Sequence, residues 1–159
     1  MVHAKSTRPR GAYIAALLIA SAPLAWADGD DHAAPLLPQY QQECGACHVA
    51  YPPSLLPATS WSRLLGKLSQ HFGTDASLDA ASLKALSTWI QSQAGGSRRM
   101  REEPPQDRIT RSAWFGREHR EVAATTWKLP AVKSPANCAA CHTQADTGDY
   151  RERNIRIPR

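Results

Sequence analysis

The motif CGACH at residues 44–48 is matched in form by CAACH at residues 138–142, and together they contain all four cysteines of the chain. Two thiols separated by two residues lie on one side of a helical turn, so both can form thioethers with one porphyrin. The histidine that follows directly is then in position to bind the iron. The pattern therefore predicts two haem c groups. The cysteines predicted to attach them are Cys44, Cys47, Cys138 and Cys141, and the predicted proximal iron ligands are His48 and His142.

Two other kinds of module also use cysteine pairs. Paired zinc knuckles usually lie about 15–20 residues apart, whereas more than half of this chain separates the two pairs. A disulfide framework suits an exported protein, but it gives no role to the histidine after each pair. A zinc or disulfide module therefore stays the alternative, while covalent haem accounts for all six residues.

Residues 1–27 have the pattern of a cleaved secretory signal peptide. Three basic residues precede an apolar run over residues 11–20, and Ala25-Trp-Ala27 gives the small-x-small cleavage pattern. The run is short for a bilayer span, and no later run approaches the ~20 apolar residues of a membrane helix. We therefore expect a periplasmic protein with no membrane insertion after cleavage, the alternative being an uncleaved anchor.

The formal net charge of +5 is partly a property of the leader, because Lys5, Arg8 and Arg10 leave with it. Four haem propionates lower the charge further. The basic sequence pI is therefore no evidence for a nucleic-acid partner. Acidic residues exceed basic ones over residues 28–97, and the reverse holds over 98–159. This uneven distribution of charge is expected to orient a charged redox partner. The alternative is that the charges are solvated surface residues whose uneven distribution has no function.

The hydrophobic pattern predicts a mainly α-helical protein with few strands. A charged, proline-containing connector over residues 97–107 divides it into two small cytochrome-c-like helical lobes, residues 28–97 and 98–159, each around one covalent haem. The prolines of residues 51–57 exclude regular helix or central strand there. The predicted helices cover residues 39–48, 60–72 with Ser60 as cap, 79–94, and a segment capped by Thr110 that carries Phe115, His119 and Val122.

The sixth iron ligands are predicted from the remaining histidines and methionines. His71 and His119 lie on or beside apolar helical stripes, each 23 residues from one proximal histidine. Met100 is the competitor, but it stands in the charged connector and cannot serve two haems. We therefore expect two bis-histidine haems of comparatively low potential, because methionine ligation raises the potential. Pairing within each lobe is preferred, and crossed pairing stays open.

Several segments besides the haem motifs match a known family, namely residues 51–57, Ser60-Trp61, His71-Phe72-Gly73, 108–110, Trp114-Phe115, 119–122 and 136–137. In them the chain resembles the small bacterial dihaem cytochromes c, the DHC family. The resemblance implies a periplasmic electron carrier with one bis-histidine haem per lobe and with His71 and His119 as the distal ligands. It also implies redox partners, namely an oxygen-binding monohaem c-type cytochrome and a membrane b-type cytochrome.

Two functions of different classes follow. The leading one is electron transfer without substrate chemistry, so that the protein is not an enzyme. The alternative is a haem protein with one ligand-accessible iron that acts as a peroxidase or binds NO or O2. In that case His119 serves as a distal acid or base rather than as a ligand.

Overall fold

Helices and turns form the regular structure of the chain in the computed structural model, which describes residues 35–95 and 102–159. Across these ranges there are short 3-10 turns and isolated β-bridges but no strand. The prediction of a mainly α fold is confirmed. The α-helices are α1, Pro38–Gly45; α2, Ala58–Leu65; α3, Ala80–Gln93; and α4, Ala113–Glu118.

Some predictions concern residues outside these ranges. They are the signal peptide over residues 1–27, the start of the first lobe at residues 28–34, and the part of the connector at residues 97–101, which contains Met100. In the part of the chain that is described, none of the helices combines the length and apolar character needed to cross a membrane.

The longest helix, α3, begins and ends where the sequence predicts. The Asp79 carboxylate accepts hydrogen bonds from the backbone N–H groups of Ala81 and Ser82, at 2.9 and 3.0 Å. After the helix, Gly95 adopts a positive φ of 52°, which glycine tolerates without strain. Helix α3 packs against α2 over the main apolar core.

This core belongs to the first half of the described chain. The Trp61 indole N–H donates to the carbonyl of Pro53 at 2.7 Å, which ties α2 to the proline-rich segment before it. That segment contains a single 3-10 turn, Pro53–Leu55, as its prolines require. The buried side chains of the core are Leu36, Tyr40, Ala50, Leu56, Trp61, Leu86 and Ile90.

Helix α2 differs from its prediction at both ends. It begins directly after Pro57, so the predicted cap Ser60 lies in its first turn and is buried. It ends before Gly66, whose low helix propensity favours a stop, rather than continuing to Phe72. A 3-10 turn follows, so His71 lies outside any helix.

Helices α1 and α4 are also shorter than expected. Helix α1 ends at Gly45, so His48 follows it in a turn. The cap of α4 is Ser112, whose hydroxyl accepts the N–H of Phe115 at 3.0 Å, and the prediction of Thr110 is wrong. The helix has six residues, and His119 follows its last residue.

The second half is built mainly from 3-10 turns, and its C-terminal tail folds back onto them. The backbone N–H of Arg156 donates to the carbonyl of Cys141 at 2.8 Å, and the N–H of Thr143 donates to the carbonyl of Asn154 at 3.0 Å. The tail is therefore part of the wall around residues 141–143.

The connector approaches the first half through ion pairs. The Arg63 guanidinium contacts Glu103 at 2.9 Å and Asp107 at 2.6 Å. All described residues belong to one compact unit of the chain. The division into lobes at residues 97 and 98 stays a prediction.

Candidate haem centres

The first motif follows directly from the end of α1. The Cys44 side chain is half-buried and Cys47 is exposed. The Nδ1 atom of His48 lies 2.8 Å from the carbonyl oxygen of Val49. When Nδ1 donates this hydrogen bond, the Nε2 atom is left free to bind a metal.

The side chain of His71 lies beside that of His48. Their ring centres are 6.2 Å apart and their planes differ by 28°. A metal–imidazole bond is about 2 Å long and the ring centre lies about 1 Å behind the nitrogen, so two imidazoles on opposite sides of one metal have centres about 6 Å apart. The separation therefore fits one metal ion between the two rings.

Backbone hydrogen bonds hold the second motif in a turn. The N–H of His142 donates to the carbonyl of Cys138 at 2.8 Å, and an isolated bridge joins His142 to Ile155. Cys138 and Cys141 are both half-buried. The tail therefore helps to fix the second histidine that follows a cysteine pair.

His119 faces His142 at nearly the same separation. The two ring centres are 6.1 Å apart, with planes inclined at 70°. The His119 ring stacks on Phe115 at 4.0 Å, and its Nδ1 atom lies 3.0 Å from the carbonyl oxygen of Phe115. Each histidine predicted as a distal ligand is thus beside the proximal histidine predicted for its own lobe.

Aromatic side chains that the sequence reasoning missed pack on the proximal histidines. The Tyr51 ring stacks on His48 with centres 4.7 Å apart, and Tyr150 lies 5.1 Å from His142. The position of Tyr51, three residues after the motif histidine, was the available sequence signal for its contact. Nothing comparable marks Tyr150, which reaches His142 through the turn between them.

A second missed contact lies beside His71. Phe72 has a positive φ of 51° and an exposed ring, over which the Arg108 guanidinium lies at 4.0 Å. A cation above an aromatic face is attracted by the ring quadrupole. Arg108 therefore helps to hold the turn that carries His71.

Burial tunes the titratable groups at both centres. Burial, followed by the charges of His48 and Arg108, lowers the pKa of His71. Burial and then His119 lower the pKa of His142. Both effects favour the neutral imidazole, which is the form that binds metals.

The unattached thiols are affected in the opposite direction. Burial raises the pKa of Cys44 and of Cys138 to about 11. Before attachment, both thiols therefore stay protonated near neutral pH.

Unpaired polar atoms test whether the residues fit a haem. Among the described residues, three buried atoms lack a hydrogen-bond partner: Nδ1 of His71, Nδ1 of His142 and the hydroxyl of Tyr150. Propionates are acceptors that such donors can pair with. Together with the histidine separations, these atoms fit the haem predicted at each motif.

The alternatives to haem find no support over residues 35–95 and 102–159. No group of three or more histidine, cysteine, aspartate or glutamate side chains converges there as a zinc site requires. The four cysteines are all free thiols, so neither motif is closed by a disulfide.

Known proteins resemble the chain over most of its length. The family model for dihaem cytochrome c matches residues 40–150. A dihaem cytochrome c structure from Shewanella baltica OS155 is 35% identical, with a TM-score of 0.67, and the match covers 76% of this chain and 92% of that one.

Two structures from Rhodobacter sphaeroides are also similar. One, of a dihaem cytochrome c, is 40% identical with a TM-score of 0.64. The other, of DHC purified from the organism, is 39% identical with a TM-score of 0.58. Each match covers 72% of this chain and 96% of the other. No curated protein sequence matches significantly.

Proposed function

The chain belongs to the dihaem cytochrome c family and carries two haem c groups, and we propose that it is a periplasmic electron carrier in which both haems have two histidine ligands. Family membership supports a haem electron-transfer protein. Bound haem supplies an iron that gains or loses one electron reversibly. An iron with two histidine ligands has no open position for a substrate, so electron transfer rather than catalysis follows from this ligation.

The proposal assigns each centre a covalent and an axial set. Cys44 and Cys47 bind the first haem, with His48 as proximal ligand and His71 as distal ligand. Cys138, Cys141, His142 and His119 have the corresponding roles at the second haem. Within the described residues, Nδ1 of His48 and Nδ1 of His119 lie within hydrogen-bond distance of backbone carbonyls, and donation of these bonds would leave Nε2 free to bind an iron.

The histidine separations of 6.2 and 6.1 Å carry the proposal. They match the separation of about 6 Å expected for two imidazoles that bind one metal ion from opposite sides. Because both ligands are then imidazoles, we also propose comparatively low potentials for both haems.

Electron paramagnetic resonance of the oxidised protein tests the ligation. The expected spectrum contains two low-spin bis-histidine signals, which should differ because the ring planes are inclined at 28° in one pair and 70° in the other. A high-spin signal or a histidine–methionine signal contradicts the proposal. Rapid and complete carbon monoxide binding to either reduced haem supports the ligand-accessible alternative instead.

Single substitutions assign each signal to a histidine. His71→Ala should abolish the first low-spin signal and open that iron to carbon monoxide, and His119→Ala should do the same at the second. The neighbouring exposed residues Gln70 and Glu118 provide controls, because Gln70→Ala and Glu118→Ala should leave both signals intact. A histidine whose removal changes neither signal is not a ligand.

We propose export by cleavage of residues 1–27, supported by the sequence pattern of that segment. N-terminal sequencing of the protein from a periplasmic extract should begin at Asp28. Recovery of the uncleaved chain from the membrane fraction supports the anchor alternative.

The proposed partners are other redox proteins. Family resemblance suggests an oxygen-binding monohaem c-type cytochrome and a membrane b-type cytochrome. Stopped-flow mixing of the reduced protein with each oxidised candidate measures the transfer rate directly. A rate no faster than with an unrelated cytochrome removes that candidate.

A further inference from the structure

Tyr51 is fixed against the first proximal histidine. Its ring lies nearly parallel to that of His48, with an angle of 16° and a centre distance of 4.7 Å. Its backbone carbonyl accepts a hydrogen bond of 2.6 Å from the buried Tyr40 hydroxyl. The stacking places the Tyr51 ring beside the histidine, whereas the hydrogen bond from Tyr40 holds only the Tyr51 backbone.

The hydroxyl of the same side chain reaches the second motif. It donates a hydrogen bond of 2.7 Å to the carbonyl of Ala136, a residue 85 positions later in the sequence. Ala136 stands two residues before Cys138, at the start of the second attachment turn. One side chain therefore contacts a predicted iron ligand of one haem and the polypeptide that attaches the other.

The environment keeps this phenol neutral. Burial raises the pKa of Tyr51 to about 12. The hydroxyl therefore remains a hydrogen-bond donor throughout the physiological range.

Tyr150 provides a contrast within the same region. It also lies beside a proximal histidine, His142, but its ring is inclined at 56°. Its buried hydroxyl has no hydrogen-bond partner among the described residues. Tyr51 alone of these two joins both motifs through contacts present in the polypeptide.

We propose that Tyr51 couples the two haem centres, so that electrons pass between them by way of its ring on His48 and its hydroxyl on the Cys138 attachment turn. This inference rests on the proposed role of His48 as an iron ligand. In each transfer one electron leaves a ferrous iron, which becomes ferric, and enters the other ferric iron, which becomes ferrous. Tyr51 keeps its proton and is not oxidised.

Nuclear magnetic resonance of the half-reduced holoprotein measures this exchange. The haem methyl signals report how fast the electron moves between the two haems within one molecule. Tyr51→Phe removes only the hydroxyl, and Tyr51→Leu removes the ring contact as well. Tyr40→Phe is the matched control, because it deletes a buried tyrosine hydroxyl and its hydrogen bond but leaves both contacts of the Tyr51 side chain.

The exchange rate should fall several-fold in Tyr51→Phe and further in Tyr51→Leu, and stay unchanged in Tyr40→Phe. Paramagnetic resonance of each variant should still show two low-spin haems. Unchanged exchange in both Tyr51 variants overturns the proposal and indicates direct transfer between haem edges. A changed signal of the first haem without slower exchange also overturns it, because Tyr51 then only positions His48. Failure of the ligation proposal can be distinguished from this outcome. It would appear in the electron paramagnetic resonance spectrum of the wild-type protein, which would then lack two low-spin bis-histidine signals.

Discussion

The two candidate haem centres differ in the secondary structure and the apolar core that surround them. The first, in residues 35–95, stands beside a pair of packed helices and a core of seven buried side chains. The second, in residues 102–159, has one helix of six residues and a series of 3-10 turns. Its buried apolar side chains in this range are Phe115, Val132 and Ala145.

The difference indicates what each centre needs from its haem. A small apolar core rarely stabilises a fold without a disulfide, metal or cofactor. Helices α2 and α3 pack against each other over buried apolar side chains, so we expect this packing to persist without a haem. The turns around residues 138–142 are held by backbone hydrogen bonds, so we expect them to depend more strongly on an attached haem.

Loss of one haem at a time should expose this difference most strongly. Replacing Cys138 and Cys141 by serine should remove the second haem and abolish amide-exchange protection over residues 109–159. Replacing Cys44 and Cys47 by serine should leave α3 protected, because α3 packs against α2 through buried side chains of the polypeptide. Hydrogen exchange read by mass spectrometry compares these segments.

A pyridine haemochrome assay must first show one haem per chain in each double variant. Equal loss of protection in the two halves would contradict the comparison. It would mean that α2 and α3 also require a bound haem to pack.

Core truncations should give the next largest effect. Leu86 is fully buried in α3, and Leu86→Ala should lower the free energy of unfolding by about 2–5 kcal/mol. Val132→Ala removes two buried carbons, each worth roughly 0.8 kcal/mol, and should therefore lower the free energy of unfolding by only about 1–2 kcal/mol. Guanidinium unfolding followed by far-ultraviolet circular dichroism measures both, and a larger cost at Val132 would reverse the assignment of the main core.

Removal of the α4 cap should have a smaller effect on the second centre. Ser112→Ala deletes the side-chain acceptor for the N–H of Phe115 and should cost about 0.5–2 kcal/mol. Thr110→Ala is the matched control, since Thr110 lies in a 3-10 turn before the helix. Denaturant unfolding distinguishes them: an equal or greater loss at Thr110 would restore it as the helix cap.

The sequence predicted what depends on local pattern. The cysteine pairs and α3 are examples, because Asp79 and Gly95 act on the helix directly beside them. The equal spacing of His71 and His119 from the motifs suggested which proximal histidine each accompanies, and in the structure each ring lies beside that histidine. Their role as iron ligands stays a prediction. Their predicted positions inside helices were wrong, because α2 ends before Gly66 and α4 ends at Glu118.

Contacts between distant segments were beyond such reasoning. The hydrogen bond from Tyr51 to Ala136 joins residues 85 positions apart, and no periodicity relates them. The cation–aromatic contact of Arg108 with Phe72 is similar. It depends on a positive φ at Phe72, which the sequence does not predict. Such contacts arise from packing and therefore appear only in the folded chain.

Acid should produce the smallest effect, at the ion pairs that join the connector to α2. Hydrogen bonds from Thr59 and Arg63 lower the pKa of Glu103, and the Arg63 guanidinium lowers that of Asp107. Because both folded-state pKa values lie below the ordinary carboxyl range, the stabilisation is present at neutral pH. It is lost as the pH falls below that range and through the lowered values.

The difference in unfolding free energy between the wild type and Arg63→Met isolates this contribution, because the other acidic groups cancel in it. Denaturant titrations at successive pH values should show the difference shrinking as the carboxyls become protonated. A difference that stays constant into strong acid would mean that Arg63 acts through its hydrogen bond to Ser60 instead. The connector would then be held by contacts that do not titrate, such as that between Arg108 and Phe72.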